Sequence, residues 1–201
     1  MHRVECVYIL AGGKSSRFGE NKALVSIFGE PLIVRLANQL ASMGLGLRIV
    51  AQRTSDYEGL GFPVIEDQSP DAGPLAGLLA ALCDCERLGS HWCLVSSCDI
   101  LDWHPEWFQA LIQTVQRNPQ LDAAILEGIN EEIGAFRPFP GLYRASLWKS
   151  VTEFWNNGDR SMRKLHDRIK MRIEKCRVES CRLPKCFNTP QELEKLLGEK
   201  A

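Results

Sequence analysis

The sequence predicts an α/β fold, a mostly parallel sheet with helices on both faces in a three-layer α/β/α, Rossmann-like arrangement. Three observations predict it. Short apolar runs rich in β-branched and aromatic residues alternate with segments of helical apolar spacing. The runs end at glycine or acidic residues, where loops begin. The composition, 45% hydrophobic and 24% charged, belongs to a chain with a large buried core. A length of 201 residues without repeats or a low-complexity linker predicts one domain over residues 1–201.

Val4 to Leu10 is a continuous apolar run broken only by Glu5 and ending near the pair Gly12-Gly13, the pattern of a buried parallel strand feeding a loop. The loop runs from Ala11 to Asn21. After Pro31, the residues Leu32, Ile33, Leu36, Leu40 and Met43 recur at helical spacing, with Gly44 as the stop. Leu47 to Ala51 forms a second strand, and Val64-Ile65 a short third one closed by Glu66 and Asp67. A helix follows from Pro74, whose missing N–H is not needed in a first turn, to near Leu88. Trp92 to Ser96 is the fourth strand, delivering Ser97, Cys98 and Asp99 to a loop before a helix from Pro105; Ala123 to Leu126 is a further strand. The pattern weakens through the Pro- and Gly-rich Gly134 to Gly141. Sheets of this kind bind ligands at the carboxyl ends of their strands, where Gly12 to Lys22 and Cys98 to Asp102 fall.

Lys and Arg number 24 against 25 Asp and Glu, a net charge of -1, so no global field draws the chain to nucleic acid or anionic lipid. No apolar run approaches the roughly 18 residues that span a bilayer, and Arg3 and Glu5 interrupt the start. The expectation is a cytoplasmic protein with no membrane partner. The eight cysteines are read as reduced thiols: Cys83 and Cys85 are one residue apart, and Cys176, Cys181 and Cys186 are each separated by four, unlike zinc pairs. Cys6, Cys93 and Cys98, among apolar neighbours, are expected in the core.

The segment Leu10-Ala11-Gly12-Gly13-Lys14-Ser15-Ser16-Arg17-Phe18-Gly19 lets backbone N–H groups approach an anion closely. A Walker A loop is excluded because its first glycine would be Tyr8, and the Gly-x-Gly-x-x-Gly fingerprint fails on glycines at 12, 13 and 19. A plain turn needs glycine but has no use for three cations, Lys14, Arg17 and Lys22, within nine residues.

The stretch LAGGKSSRFGENKAL resembles the signature of nucleotidyltransferases that activate small molecules with an NTP, and its Gly-Gly form is similar to molybdenum cofactor guanylyltransferases. Asp67 followed by Gly73-Pro74-Leu75-Ala76-Gly77, then Cys98-Asp99, and Asn188-Thr189-Pro190 with Glu192 and Leu193 extend the resemblance over nearly the whole chain. It implies a fold of the nucleotide-diphospho-sugar transferase type and transfer of GMP from MgGTP to the phosphate of molybdopterin, with release of pyrophosphate. It also implies that Leu10, Ala11, Gly12 and Gly13 hold guanine and ribose, Asp67 the nucleoside, Lys22 with Arg17 the phosphates, and Asp99 the Mg2+. Such a transfer needs no general base, since the nucleophile already carries charge, and one carboxylate is enough to recruit magnesium with a nucleotide. Three residues depart from the family pattern: Phe18 replaces Met, Asn21 an Asp, and Ser97 the Pro before Cys98-Asp99.

Between Arg160 and Lys185 ten cations face three acids, either a solvated helix face followed by a solvated strand face or a docking site for the pterin phosphate or for a carrier or acceptor protein of the cofactor. Trp103, Trp107 and Phe108 are expected in the core. The rival activities are a related nucleotidyltransferase using CTP or a sugar phosphate, and a non-catalytic nucleotide-binding protein; intact Lys22 and Asp99 speak against the latter. Gly12-Gly13, where cytidylyltransferases typically have Ala-Gly, predicts a pocket for guanine.

Overall fold

Side chains along Val4–Leu10 (β1) alternate between two cores, Val7 and Ile9 in one, Cys6, Tyr8 and Leu10 in the other, so this strand is buried on both faces. The computed structural model describes residues 4–12, 18–67, 69, 73–128, 137–168, 172–178 and 183–198. Around β1 lie Gly46–Ala51 (β4), Val64–Glu66 (β5), Trp92–Ser97 (β6), Ala123–Gly128 (β7), Gly141–Arg144 (β8) and Ile173–Val178 (β9), in the order β5-β4-β1-β6-β8-β7-β9. Pairings are parallel except those of β8, which runs against both neighbours.

Leu32–Ala41 (α1) and Pro105–Arg117 (α3) cover one face, supplying Ile33, Leu36, Leu40, Trp107, Leu111 and Val115. Pro74–Arg87 (α2), Trp148–Asn156 (α4) and Met162–Arg168 (α5) cover the other. The core placement expected for Trp103, Trp107, Cys6, Cys93 and Cys98 holds; Trp103 and Trp107 stack edge to face at 5.3 Å. A third cluster of Phe18, Ile27, Leu32, Leu101, Phe187 and Leu193 ties Pro190–Gly198 (α6) to the sheet's carboxyl end.

Strand β8 escapes the periodicity because it is short and opens on a glycine. A Cβ on Gly141 would meet the Pro138 carbonyl oxygen at 2.8 Å and the Tyr143 ring at 2.9 Å, so a bare backbone is required where the chain re-enters the sheet.

Ser26–Ile27 (β2) and Glu30–Pro31 (β3) form a hairpin whose two loop residues, Phe28 and Gly29, have φ of 52° and 85°. That is the mirror-image turn favoured between twisted strands, with a bulky residue where Asn or Gly is preferred. Phe28 is 74% exposed, so its ring adds little packing. Phe28→Asn is expected to stabilise the protein by about 1 kcal/mol, a rise of about 2 to 4 °C in Tm. Thermal unfolding checks it.

Candidate functional site

Four adjacent strands end together at the point where the chain changes direction across the sheet, moving from β1 outward to β4 and β5 and then back to β6 on the other side. The register pairs Leu10 with Ser97, and the Cys98 N–H donates to the Leu10 carbonyl at 3.1 Å. On the other side of β1, Ala11 donates to the Val50 carbonyl at 2.8 Å and Asp67 to that of Ala51 at 2.9 Å. Backbone pairing thus brings Leu10, Ala11, Gly12, Asp67 and Asp99 to one rim. Gly13 and Arg17 lie outside the described residues.

Lys22 opens a short 3-10 turn, Lys22–Leu24, capped by Asn21, whose Oδ1 accepts the Ala23 N–H at 3.2 Å. The Asn21 amide also donates to the Tyr57 hydroxyl at 3.1 Å, and that hydroxyl donates to the Ala11 carbonyl at 3.3 Å. The hydroxyl also lies 3.3 Å from Asn21 Oδ1, so Tyr57 links the cation-bearing turn to the start of the glycine loop. Burial pushes the Tyr57 hydroxyl up to about 12, which keeps it a donor at neutral pH.

The Lys22 ammonium donates to Asp99 Oδ2 at 3.2 Å, to the Phe187 carbonyl at 3.0 Å and to Asn188 Oδ1 at 3.5 Å, and lies 5.5 Å from the centre of the Phe187 ring. With side chains only 14% and 20% exposed, Lys22 and Asp99 form a half-buried ion pair. Phe187 is itself held by Phe18, ring to ring at 5.8 Å, within the same buried cluster. Beyond it, α6 begins with reciprocal caps: Thr189 Oγ1 accepts the Glu192 N–H at 3.2 Å, and Glu192 accepts the Asn188 N–H at 2.6 Å. These place the Asn188-Thr189-Pro190 ending against Lys22.

Asp67 is buried, 5% exposed, and accepts the Ser69 N–H at 3.2 Å. Burial raises its carboxyl above the usual aspartate value of 3.8, opposed by the Ser69 bond. Its Oδ2 stands 3.3 Å from where a Cβ on Gly12 would be, so Gly12 gives the carboxylate its room. Asp67 also borders a groove of about 440 Å³ lined by Ile65, Ala76, Leu79 and Trp155, whose walls include neither Lys22 nor Asp99.

Several site residues escaped the sequence reading. Tyr57 has no motif of its own, and the Phe187 carbonyl carries no side-chain signal. Cys186 was one of eight cysteines, yet its bridge to Ile100 sets it beside Asp99, and burial with that neighbouring charge pushes its thiol up to about 12. Among the described residues no cysteine is disulfide-bonded, no group of three or more His, Cys, Asp or Glu is placed to hold a metal, and no helix is long and apolar enough to cross a membrane.

Part of the basic stretch is answered by side chains from distant segments. Lys175 pairs with Glu127 at 2.6 Å and Arg177 with the same residue at 3.5 Å; Arg172 pairs with Asp122 at 3.0 Å, and Arg160 stacks on Trp155 at 3.6 Å. This supports the solvated-face reading. Glu127→Gln is expected to leave turnover within about twofold and stability within about 1 kcal/mol, as exposed ion pairs are worth little. Denaturant melts and steady-state assays check both.

Residues 7–173 match the MobA-like NTP transferase domain. The chain is 32% identical over 165 residues to the molybdenum cofactor guanylyltransferase of Polynucleobacter asymbioticus, covering 81% of each chain. It is 30% identical over 190 residues to that of Vibrio atlanticus, covering 92% of this chain and 91% of the relative. The structure of molybdopterin-guanine dinucleotide biosynthesis protein A from Archaeoglobus fulgidus aligns with a TM-score of 0.73 over 98% of this chain and 100% of that one, at 22% identity. CMP:2-keto-3-deoxy-manno-octonic acid synthetase complexed with CTP aligns with a TM-score of 0.74 over 99% and 100%, at 14% identity. At these identities the two structures show the fold, a three-layer sheet of the nucleotide-diphospho-sugar transferase type.

Proposed function

The chain belongs to the MobA-like NTP transferase family of molybdenum cofactor guanylyltransferases, and from that premise we propose that it transfers GMP from GTP to the phosphate of molybdopterin, releasing pyrophosphate. The observation that carries the reading is the convergence of Lys22 and Asp99 beside the Gly12 loop, a cation and a carboxylate at adjacent strand ends.

The acceptor phosphate attacks the α-phosphorus of GTP, the bond to the bridging oxygen breaks, and pyrophosphate leaves. No proton needs removal from the nucleophile, so positioning and charge compensation do the catalysis. Lys22, held by acceptors of the chain itself, presents a preorganised cation to the phosphates. Arg17 is proposed to reach the same phosphates from the glycine loop. Asp99 fits magnesium: it is a hard oxygen donor at the open end of the sheet, and a single carboxylate leaves positions for phosphate oxygens and water. When bound, Mg2+ neutralises phosphate charge, and Asp99 would hold it there.

At the base end, guanine offers an N1–H and an exocyclic amine as donors, and the buried Asp67 carboxylate is their proposed acceptor. Cytosine has one amine donor beside a ring-nitrogen acceptor, so it would leave one of the two carboxylate oxygens unpaired at a cost of about 1 to 3 kcal/mol. GTP is therefore expected to bind at least tenfold more tightly than CTP. A methyl group in Gly12→Ala presses on Asp67 Oδ2 and is expected to narrow the gap by weakening GTP more. Direct titration with both nucleotides in magnesium tests this; equal affinities, or a preference for CTP, would favour a cytidylyltransferase.

Asp67 also predicts a pH dependence. Its carboxyl is raised on folding, so the native state without nucleotide binds the extra proton, and stability falls as pH rises through the window above 3.8. The proposed contact with guanine needs the ionised form. GTP affinity is expected to weaken as pH falls toward that window, and Asp67→Asn is expected to bind GTP more weakly and to lose this component of the pH dependence.

A further inference from the structure

The Asp99 carboxylate is held by more than Lys22. The Ser97 hydroxyl donates to Oδ1 at 2.5 Å while Lys22 donates to Oδ2. An O–H bond to a carboxylate at that separation is of the short, charge-assisted kind. Ser97 is the last residue of β6, paired to Leu10, so its backbone is fixed by the sheet; Asp99 lies beyond it in a turn, where its carboxylate is held by Ser97 and Lys22. A nucleotide phosphate competes for Lys22, whereas the neutral hydroxyl carries no charge for that phosphate to compete for.

We propose that Ser97 is a positioning residue that presents the Asp99 carboxylate to a divalent cation when the nucleotide engages Lys22. The inference rests on the guanylyltransferase reading and extends it to the hydroxyl that the last residue of β6 gives Asp99. Removing an outer partner of a metal-binding carboxylate typically lowers metal affinity by about 10- to 100-fold.

The test is Mn2+ titration of the protein with GTP, followed by electron paramagnetic resonance of free and bound manganese, together with metal-free GTP binding. Ser97→Ala is expected to raise the Mn2+ dissociation constant by about tenfold or more and to leave metal-free GTP affinity unchanged. Ser97→Thr, which keeps the hydroxyl, is expected to restore it. Ser97→Cys, nearly isosteric with a weak S–H donor, is expected to fall between and supplies the comparison if the alanine variant folds poorly. Unchanged manganese affinity in Ser97→Ala or Ser97→Cys would overturn the inference while leaving the functional reading intact. A rise confined to metal-free GTP dissociation would overturn it in favour of direct nucleotide contact. A wild-type protein with no protein-bound manganese signal would remove the metal reading of Asp99 and the inference with it.

Discussion

Asp99→Ala is expected to fold and to lose roughly 10³-fold or more in turnover, the scale of several kcal/mol of lost charge stabilisation at the transition state. The fold should survive because Asp99 lies in a turn beyond β6, and the backbone bond from Cys98 to Leu10 that fixes that turn does not involve its side chain. Lys22 keeps the Phe187 carbonyl and Asn188 as acceptors, so the loss of its ionic partner does not leave the ammonium unsupported. Circular dichroism and GTP titration without metal should match wild type, while magnesium-dependent pyrophosphate release collapses. Near-normal turnover in the folded variant would remove Asp99 from the proposed site.

Lys22→Ala is expected to cost about 2 to 4 kcal/mol of transition-state stabilisation, about 30- to 10³-fold in single-turnover rate, the effect of deleting one preorganised donor. The geometry explains why so much rests on one side chain. The ammonium is fixed by three acceptors and an aromatic ring, so little reorganisation is needed as charge develops on the departing phosphates. Lys22→Arg is expected to recover only part of the rate, because the planar fork does not reproduce the compact ammonium among those acceptors. Single-turnover rates within threefold of wild type in Lys22→Ala would mean that the lysine only buttresses a turn.

The β-α alternation up to Leu126 was legible because the central strands β1 and β6 are buried on both faces and each helix has one apolar stripe, so periodicity and burial coincide there. It faded where they part. Strand β8 is short, runs against its neighbours and begins at Gly141, and edge strand β9 carries Lys175 and Arg177 outward with only Cys176 buried. The site was legible where chemistry lies in side chains at strand ends, as with Lys22, Asp67 and Asp99. It was not legible where function depends on backbone or on distant pairing: the Phe187 carbonyl that holds Lys22, Tyr57 beneath the glycine loop, and the thiol of Cys186 beside Asp99. The positive charge of the 160–185 stretch looked excessive for the same reason, since Asp122 and Glu127, about 50 residues earlier, answer part of it only once β7 and β9 pair.

Guanylyl transfer to a molybdopterin phosphate consumes one GTP and releases one pyrophosphate. The most direct measurement is pyrophosphate release in magnesium from each of the four nucleoside triphosphates, with and without molybdopterin. Release is expected to require molybdopterin and to be fastest with GTP, accompanied by one GMP joined to the pterin phosphate for each pyrophosphate. Release that ignores molybdopterin, prefers CTP, or is absent with every nucleotide in the folded protein would contradict guanylyl transfer.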